Sequence, residues 1–279
     1  MEKKFSAAIA GACMLLAAVT VTAAAHADPA PAIKPGPADA QFKAIYTQEW
    51  KWRISQKQEE DEDDDNGVSA TLPRIDAATQ AKRLAYWQGV MKKLDGISQD
   101  KLSAPERINY QVYKAQIAAL IAGQVFREYE KPLNADSAFW SNMASGARKP
   151  LTNEKQFQDY LKQLADTPRY FNEEMDNMRA GLARGFTPPK VTLIGRDASI
   201  TSVTDAKTPQ DTVFYLPFKS MPATMPAAQQ EALRAEGVKA IQAYVLPSYA
   251  KLLKFMREEY VPKAREALAA ESLPDGKAY

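Results

Sequence analysis

From Phe42 onward, apolar residues return at three- and four-residue steps, a spacing that commits the chain to helices burying one face each. The first run places Phe42, Ile45, Tyr46, Glu49, Trp50, Trp52 and Arg53 on neighbouring turns. A second starts at Ile75-Asp76 and carries Leu84, Trp87, Val90, Met91 and Leu94 to a stop near Gly96. Ser103-Ala104-Pro105-Glu106 reads as a helix start, with Ser103 as the cap, Pro105 in the first turn and Glu106 completing a capping box. The helix it opens carries Ile108, Val112, Tyr113, Ile117, Leu120, Ile121 and Val125. Another begins near Thr152-Asn153, is kinked or restarted at Pro168, and runs through Phe171, Met175 and Met178 to Gly185. Pro188-Pro189 opens a helix with Val191, Ile194, Ala198 and Val203, and a last long segment covers 227–270 with bends at Pro247 and Pro262. The best strand signal, Val213-Phe214-Tyr215-Leu216, is short. The fold class expected is mainly α, a bundle-like array with long kinked helices and little or no sheet.

Ahead of these helices lies a targeting segment. Lys3 and Lys4 give a positive start, an apolar run spans Phe5 to Ala25, and Ala25-His26-Ala27 is a small-x-small cleavage pattern. The run approaches the length of a membrane anchor, but its Ala and Thr content and the fitting cleavage site favour a removed signal. A lipoprotein start at Cys13 is disfavoured, because Ala10 stands where a larger aliphatic belongs and the apolar run continues past it. Residues 1–27 are therefore read as a signal peptide and 28–40 as a Pro-rich tether. Residues 41–279 form a helical domain interrupted by an acidic loop at 57–67. The destination is the periplasm or the outside of the cell, with no stable membrane anchor once the signal is gone.

Removing the signal also removes Cys13 and His26, the only Cys and His in the chain. No disulfide can form afterwards, so stability rests on packing. The composition, 46% hydrophobic and 25% charged, can supply a sizeable core. A formal net charge of +2, with Lys and Arg interspersed among acids, excludes nucleic acid as the natural partner.

The same loss of His rules out Ser-His-Asp and Cys-His catalytic devices in the exported chain. Glu62, Asp64, Asn66 and Gly67 mimic the start of a calcium loop, but its twelfth position is Pro73 rather than a bidentate Glu, so a solvated loop is expected. Ser98 to Lys101 and Ser248 to Lys251 match Ser-x-x-Lys spacing without its companion motifs. Glu173-Glu174 and Glu258-Glu259 are expected on solvated helix faces. Trp50, Trp52, Tyr86, Trp87, Phe139, Trp140, Tyr170 and Phe171 are expected in the core. The residues thus point to no catalytic, cofactor-binding or metal site in this chain.

Several segments are similar to a known bacterial family. They are Glu49-Trp50-Lys51-Trp52-Arg53, Asn109-Tyr110-Gln111-Val112-Tyr113, Ala138-Phe139-Trp140-Ser141, the stretch from Arg179 to Pro189, that from Arg257 to Arg265, and the closing Leu273 to Tyr279. From about residue 40 to the end, the chain resembles the domain of unknown function 885 family, exported zincin-like helical proteins. The resemblance implies a zinc-dependent peptidase-like hydrolase whose metal is held by a His-Glu-x-x-His helix and a later Glu. That helix belongs to the second half of the family's chains, beyond Tyr279, so no catalytic residue carries over and zinc is expected only in that half. The chain then reads as an N-terminal helical portion, inactive alone, with a peptide substrate only at full length. Its partners would be the missing C-terminal half or a second copy, through an apolar face left bare at 245–270. The alternative is a complete non-enzymatic periplasmic helical protein that binds a peptide, an envelope component or a partner.

Signal peptidase is expected to cut between Ala27 and Asp28. N-terminal sequencing of exported material should begin at Asp28, and a start at Met1 or Cys13 would refute this.

Overall fold

The computed structural model describes residues 36–56 and 68–279. The signal peptide, the tether up to residue 35, and the acidic loop at 57–67 lie outside the described residues. Helix dominates, and among the described residues the β structure is a single isolated bridge between Leu133 and Ala138.

Three helices build a first core. Helix α1 (Pro37–Ser55) starts inside the expected tether, because Pro37 fits a first turn and Asp39 accepts the Gly36 N–H at 3.3 Å. Helix α2 (Ala77–Asp95) is capped by Asp76, whose side chain accepts from the Thr79 N–H at 3.0 Å. Helix α3 (Ala104–Val125) begins where expected, but its capping box does not form. The Ser103 N–H donates to Asp39 Oδ1 at 2.9 Å, and Glu106 Oε2 is buried without a partner. This backbone bond is the leading cause that holds the Asp39 carboxyl below the usual range. Phe42, Trp87, Leu94, Tyr110 and Ile117 fill the space between the three helices. Ile108, Val112 and Val125 do not join them: they are 66%, 55% and 55% exposed. The expected apolar stripe on α3 is in fact two stripes, of which one faces out.

The second core is built on α5 (Glu154–Ala183), after the short α4 (Phe139–Gly146). Asn153 caps α5 by accepting the Gln156 N–H. The helix runs through Pro168 unbroken, so the expected restart there does not occur. Its end is a Schellman turn: Gly185 takes φ 78°, Phe186 N–H donates to Gly181 O and Gly185 N–H to Leu182 O. Gly181 is required for a second reason. A Cβ there would lie 2.6 Å from the Glu130 carbonyl, so only glycine lets that loop press on α5.

Pro188-Pro189 opens only a 3-10 turn (Lys190–Leu193), which Gly195 at φ 77° separates from α6 (Ala198–Thr204). The residues 213–216 expected as a strand are helical: a 3-10 turn (Val213–Tyr215) leads into α7 (Leu216–Lys219). Pro217 fits that first turn, and Phe214 and Phe218, one helical turn apart, are both fully buried.

From Ala227 to Lys263 the chain is continuous helix: α8 (Ala227–Ala240), α9 (Leu246–Phe255) and α10 (Val261–Lys263), joined by π turns at Ile241–Val245 and Met256–Tyr260. Each π turn lies just before a proline, Pro247 or Pro262. A proline ring collides with the carbonyl four residues earlier and cannot bond to it, and a widened turn relieves both problems. The bends expected at Pro247 and Pro262 are therefore wide turns within one continuous segment. The expectation of a bare apolar face at 245–270 is overturned here. Val245, Leu252, Phe255, Met256 and Tyr260 are buried against α5 and α6, although Leu268 stays exposed.

The extended segment 72–75 ties the two cores together. Four residues on one face of α5 read its backbone: Asp166 accepts the Leu72 N–H (2.9 Å) and Glu173 the Ile75 N–H (2.9 Å). Arg169 donates to the Leu72 and Pro73 carbonyls (2.9 and 3.1 Å), and Asn177 to the Ile75 carbonyl (2.8 Å). Arg169 also bonds Asp166 and Glu173, so its removal would leave four acceptors short of a donor. We expect Arg169→Ala to lower unfolding free energy by about 2–4 kcal/mol in urea titrations. A loss below about 0.5 kcal/mol would mean the latch is ornamental.

Candidate functional site

On α1, Phe42, Ile45, Glu49 and Trp52 share one face, which puts a carboxylate where the pattern calls for a core residue. Glu49 is 1% exposed. Its Oε1 accepts from Arg53 Nε (2.9 Å) and Trp87 Nε1 (3.0 Å), and its Oε2 from Arg53 Nη2 (2.8 Å) and the Tyr113 hydroxyl (3.0 Å). Four donors from α1, α2 and α3 thus converge on one buried charge, as a buried carboxylate requires. Burial first, then the Glu49 charge and the bond to it, push the Tyr113 hydroxyl far above its ordinary range. Both Glu49 oxygens are thus occupied by donors of the protein itself. Glu49 fixes the geometry of what lies above it.

Above it is a cleft of about 830 Å³ between α1 and α3. Tyr46, Trp50 and Arg53 form one wall, Tyr113, Gln116, Leu120 and Gln124 the other, and Glu128 and Tyr129 close one end. Trp50 is 42% exposed, with the Arg53 guanidinium 5.6 Å from its ring centre. This corrects the expectation that Trp50 is a core residue. At Gly123 a Cβ would come within 3.0 Å of Glu128 Oε2, so the missing side chain lets that carboxylate lean over α3. Gln124 Oε1 is buried and has no hydrogen-bond partner. Aromatic faces, an amide acceptor and a carboxylate around an open trough suit the binding of an extended chain with mixed side chains.

The remaining candidates separate. Trp87, Phe139, Trp140 and Phe171 are buried as expected, and Trp52 stacks on Tyr86 with ring centres 3.6 Å apart. Ser248 gives its hydroxyl proton to the Tyr244 carbonyl (2.6 Å), while Lys251 reaches Asn172 (2.6 Å), so that Ser-x-x-Lys pair is not a nucleophile and its base. Ser98 caps a 3-10 turn and its hydroxyl bonds Asp100. Glu259 pairs with Arg179 at 3.1 Å, and Glu258 stays exposed.

Glu173 and Glu174 are not on a solvated face. Glu173 holds the latch, and Glu174 is 5% exposed, with Tyr170 as its hydrogen-bond partner. Burial raises the Glu174 carboxyl to about 8, overriding the Tyr170 bond. Sequence pattern gave no sign of this, since Glu174 follows an acid that does face a cation.

Among the described residues no three His, Cys, Asp or Glu gather as a metal site, and none of those residues is a His or Cys.

An all-helical molecule with a cleft framed by its N-terminal helices is the class that fold and site define. The sequence profile of a family described as "Bacterial protein of unknown function (DUF885)" matches residues 61–279, and the chain belongs to that family. No curated protein matches the sequence. Its fold is similar to that of a Colwellia psychrerythraea protein described with its crystal structure as a "putative lipoprotein" (TM-score 0.72, 17% identity). The likeness covers 87% of this chain and 45% of that one, so the chain spans under half the length of this neighbour.

Two outcomes follow from the buried carboxyls. Glu49→Gln keeps the shape but turns an amide N–H₂ toward donors, and should cost about 2–4 kcal/mol of stability by thermal or urea unfolding. For Glu174, the folded carboxyl keeps its proton up to about 8 whereas the unfolded one loses it near the ordinary 4.5. Its contribution is complete below the ordinary value and is lost as pH rises to about 8, with a slope of up to about 1.4 kcal/mol per pH unit. Urea midpoints measured from pH 5 to 9 should fall more steeply for the natural chain than for Glu174→Gln; parallel curves would contradict this.

Proposed function

We propose that this chain is the N-terminal helical portion of an exported, zincin-like metallopeptidase-type protein, and that the α1–α3 cleft is its surface for a peptide substrate. The coverage carries the reading: the fold matches along 87% of this chain but only 45% of its structural neighbour, leaving room for a second half. Zinc in such enzymes is held mainly by imidazole and thiolate, and the described residues contain neither. Zinc therefore does not fit on this portion, and the chain's own part is to bind and orient substrate. Trp50 and Tyr46 would pack on side chains, and Gln124 and Glu128 would accept from backbone or side-chain donors.

Export is supported by the Ala25-His26-Ala27 pattern and by the lipoprotein description of the neighbour. Among the described residues no helix is long and apolar enough to cross a membrane.

One observation favours a rival, a complete non-enzymatic helical protein that uses the same cleft to bind a periplasmic partner. The stripe from Val245 to Tyr260 is covered by the chain's own helices, as a closed fold would have it.

The test pairs residues 28–279 with a longer chain that includes the coding sequence after Tyr279. After dialysis the longer chain should retain about one equivalent of zinc and cleave fluorogenic peptides. The shorter should do neither, but should still bind them, with Trp50→Ala reducing affinity about tenfold. Zinc and hydrolysis on 28–279 alone would overturn the proposal.

A further inference from the structure

The cleft between α1 and α3 carries an unbalanced charge. The charged residues that line it are Glu49, Arg53 and Glu128. Glu49 and Arg53 neutralise each other through hydrogen bonds of 2.9 and 2.8 Å. Glu128 has no such counterpart: its side chain is exposed, and among the described residues no Lys or Arg forms an ion pair with it. The cations around it are engaged elsewhere. Arg127 and Arg184 both pair with Glu130. Lys131 feels the Glu128 charge but directs its ammonium onto the Phe186 and Tyr279 rings, 5.2 and 5.7 Å from their centres. The Tyr279 hydroxyl donates to Glu128, a neutral donor that leaves the negative charge in place.

The surroundings of that carboxylate suit a long side chain with a cationic head. Gly123 lets Glu128 Oε2 lean over α3, and the next residue, Gln124, has its Oε1 buried without a hydrogen-bond partner. An ionised acceptor and an amide acceptor lacking a donor thus line the same trough. Its remaining wall is aromatic and aliphatic, with Tyr46, Trp50, Leu120 and Tyr129. Trp50 already has the Arg53 guanidinium 5.6 Å from its ring centre, so this part of the wall tolerates a planar cation. Methylenes can cover such a wall while the head supplies donors. An ammonium does so as a point charge, whereas a guanidinium presents several N–H groups in a fixed fork and can serve both acceptors together.

We infer that the cleft selects peptides that carry an arginine side chain, with Glu128 setting the preference and Gln124 as the second acceptor. This rests on the proposed reading of the cleft as a peptide surface and names the side chain it takes. Because Arg53 cancels Glu49, the field in the trough is that of Glu128 alone. An acidic side chain at the same place is repelled, and a neutral one leaves the charge unmatched.

The experiment measures, by fluorescence anisotropy, the binding to residues 28–279 of labelled peptides that differ at one position, occupied by arginine, lysine, citrulline or glutamate. Citrulline keeps the shape of arginine and removes its charge. The arginine peptide should bind about tenfold more tightly than the citrulline peptide, with lysine between them and glutamate weakest. Glu128→Gln should erase that difference while moving the melting midpoint by no more than about 2 °C, because the side chain is exposed. Equal affinities for arginine and citrulline peptides, or a preference that survives Glu128→Gln, would overturn the inference; if Trp50→Ala still weakens every peptide, the peptide reading stands. A Glu128-dependent preference for Nα-acetylarginine amide over its citrulline counterpart, with no peptide bound more tightly than that small cation, would uphold the charge selectivity and sink the peptide reading. No binding of any probe would overturn both.

Discussion

The contact between α5 and the extended segment 72–75 is the constraint on which the arrangement depends. Asp166, Arg169, Glu173 and Asn177 recur at helical spacing on one face and satisfy five backbone groups of a segment with no ladder of its own. Unpaired backbone groups at a partly buried junction are costly, so these side chains determine where the chain can cross from one core to the other. With the crossing fixed, α2 starts at Asp76 immediately beyond it, and Arg83 reaches back to the Arg74 carbonyl at 2.8 Å to hold the corner. The three-helix core and its cleft are positioned from the larger core by polar contacts rather than by a shared hydrophobic interior.

Within the smaller core, Glu49 has the corresponding role. A hydrophobic residue at that site could be packed by any of several rotations of α1. A carboxylate needing Arg53, Trp87 and Tyr113 together accepts only one, so some stability is exchanged for a defined geometry. The walls of the cleft stand at a set distance because their supports meet at the same two oxygens. Glu174 in the larger core is a different case: a carboxyl kept neutral by its surroundings, at a cost that grows as pH rises.

Much of the helical layout was legible in the sequence because its signals are local. Asp76, Asn153 and Gly185 mark helix ends through bonds spanning a few residues, and the structure places those ends where the residues indicate. The features that define the candidate site were not legible, because their partners are far apart in the chain. Trp87 and Tyr113 lie 38 and 64 positions from Glu49, and the latch joins residues 94 to 102 apart. The same limit explains the misplaced bare face. Periodicity shows that Val245 to Tyr260 and Ile108 to Val125 each have an apolar side, but not that α5 and α6 cover the first and leave the second open. Ser103 failed as half of a capping box for a similar reason: a distant acid, Asp39, took the N–H that Glu106 would have used.

The π turns at Ile241–Val245 and Met256–Tyr260 bear on how the last helix can change over evolutionary time. Buried residues along it, Leu233, Gly237, Ile241, Val245, Tyr249, Leu252, Met256 and Tyr260, step by four almost throughout. A regular α-helix repeats every 3.6 residues, so a stripe with that stride would wind off the core after a few turns. Each wide turn absorbs one surplus residue and brings the stripe back into phase. Deleting a single residue from either turn would restore uniform α geometry and leave the side chains beyond it facing almost as before, whereas a deletion elsewhere in the helix would swing them by about 100° around the axis. The helix can therefore lose one residue at either wide turn and keep its buried stripe, while along its regular turns its length can change only in steps that preserve that phase.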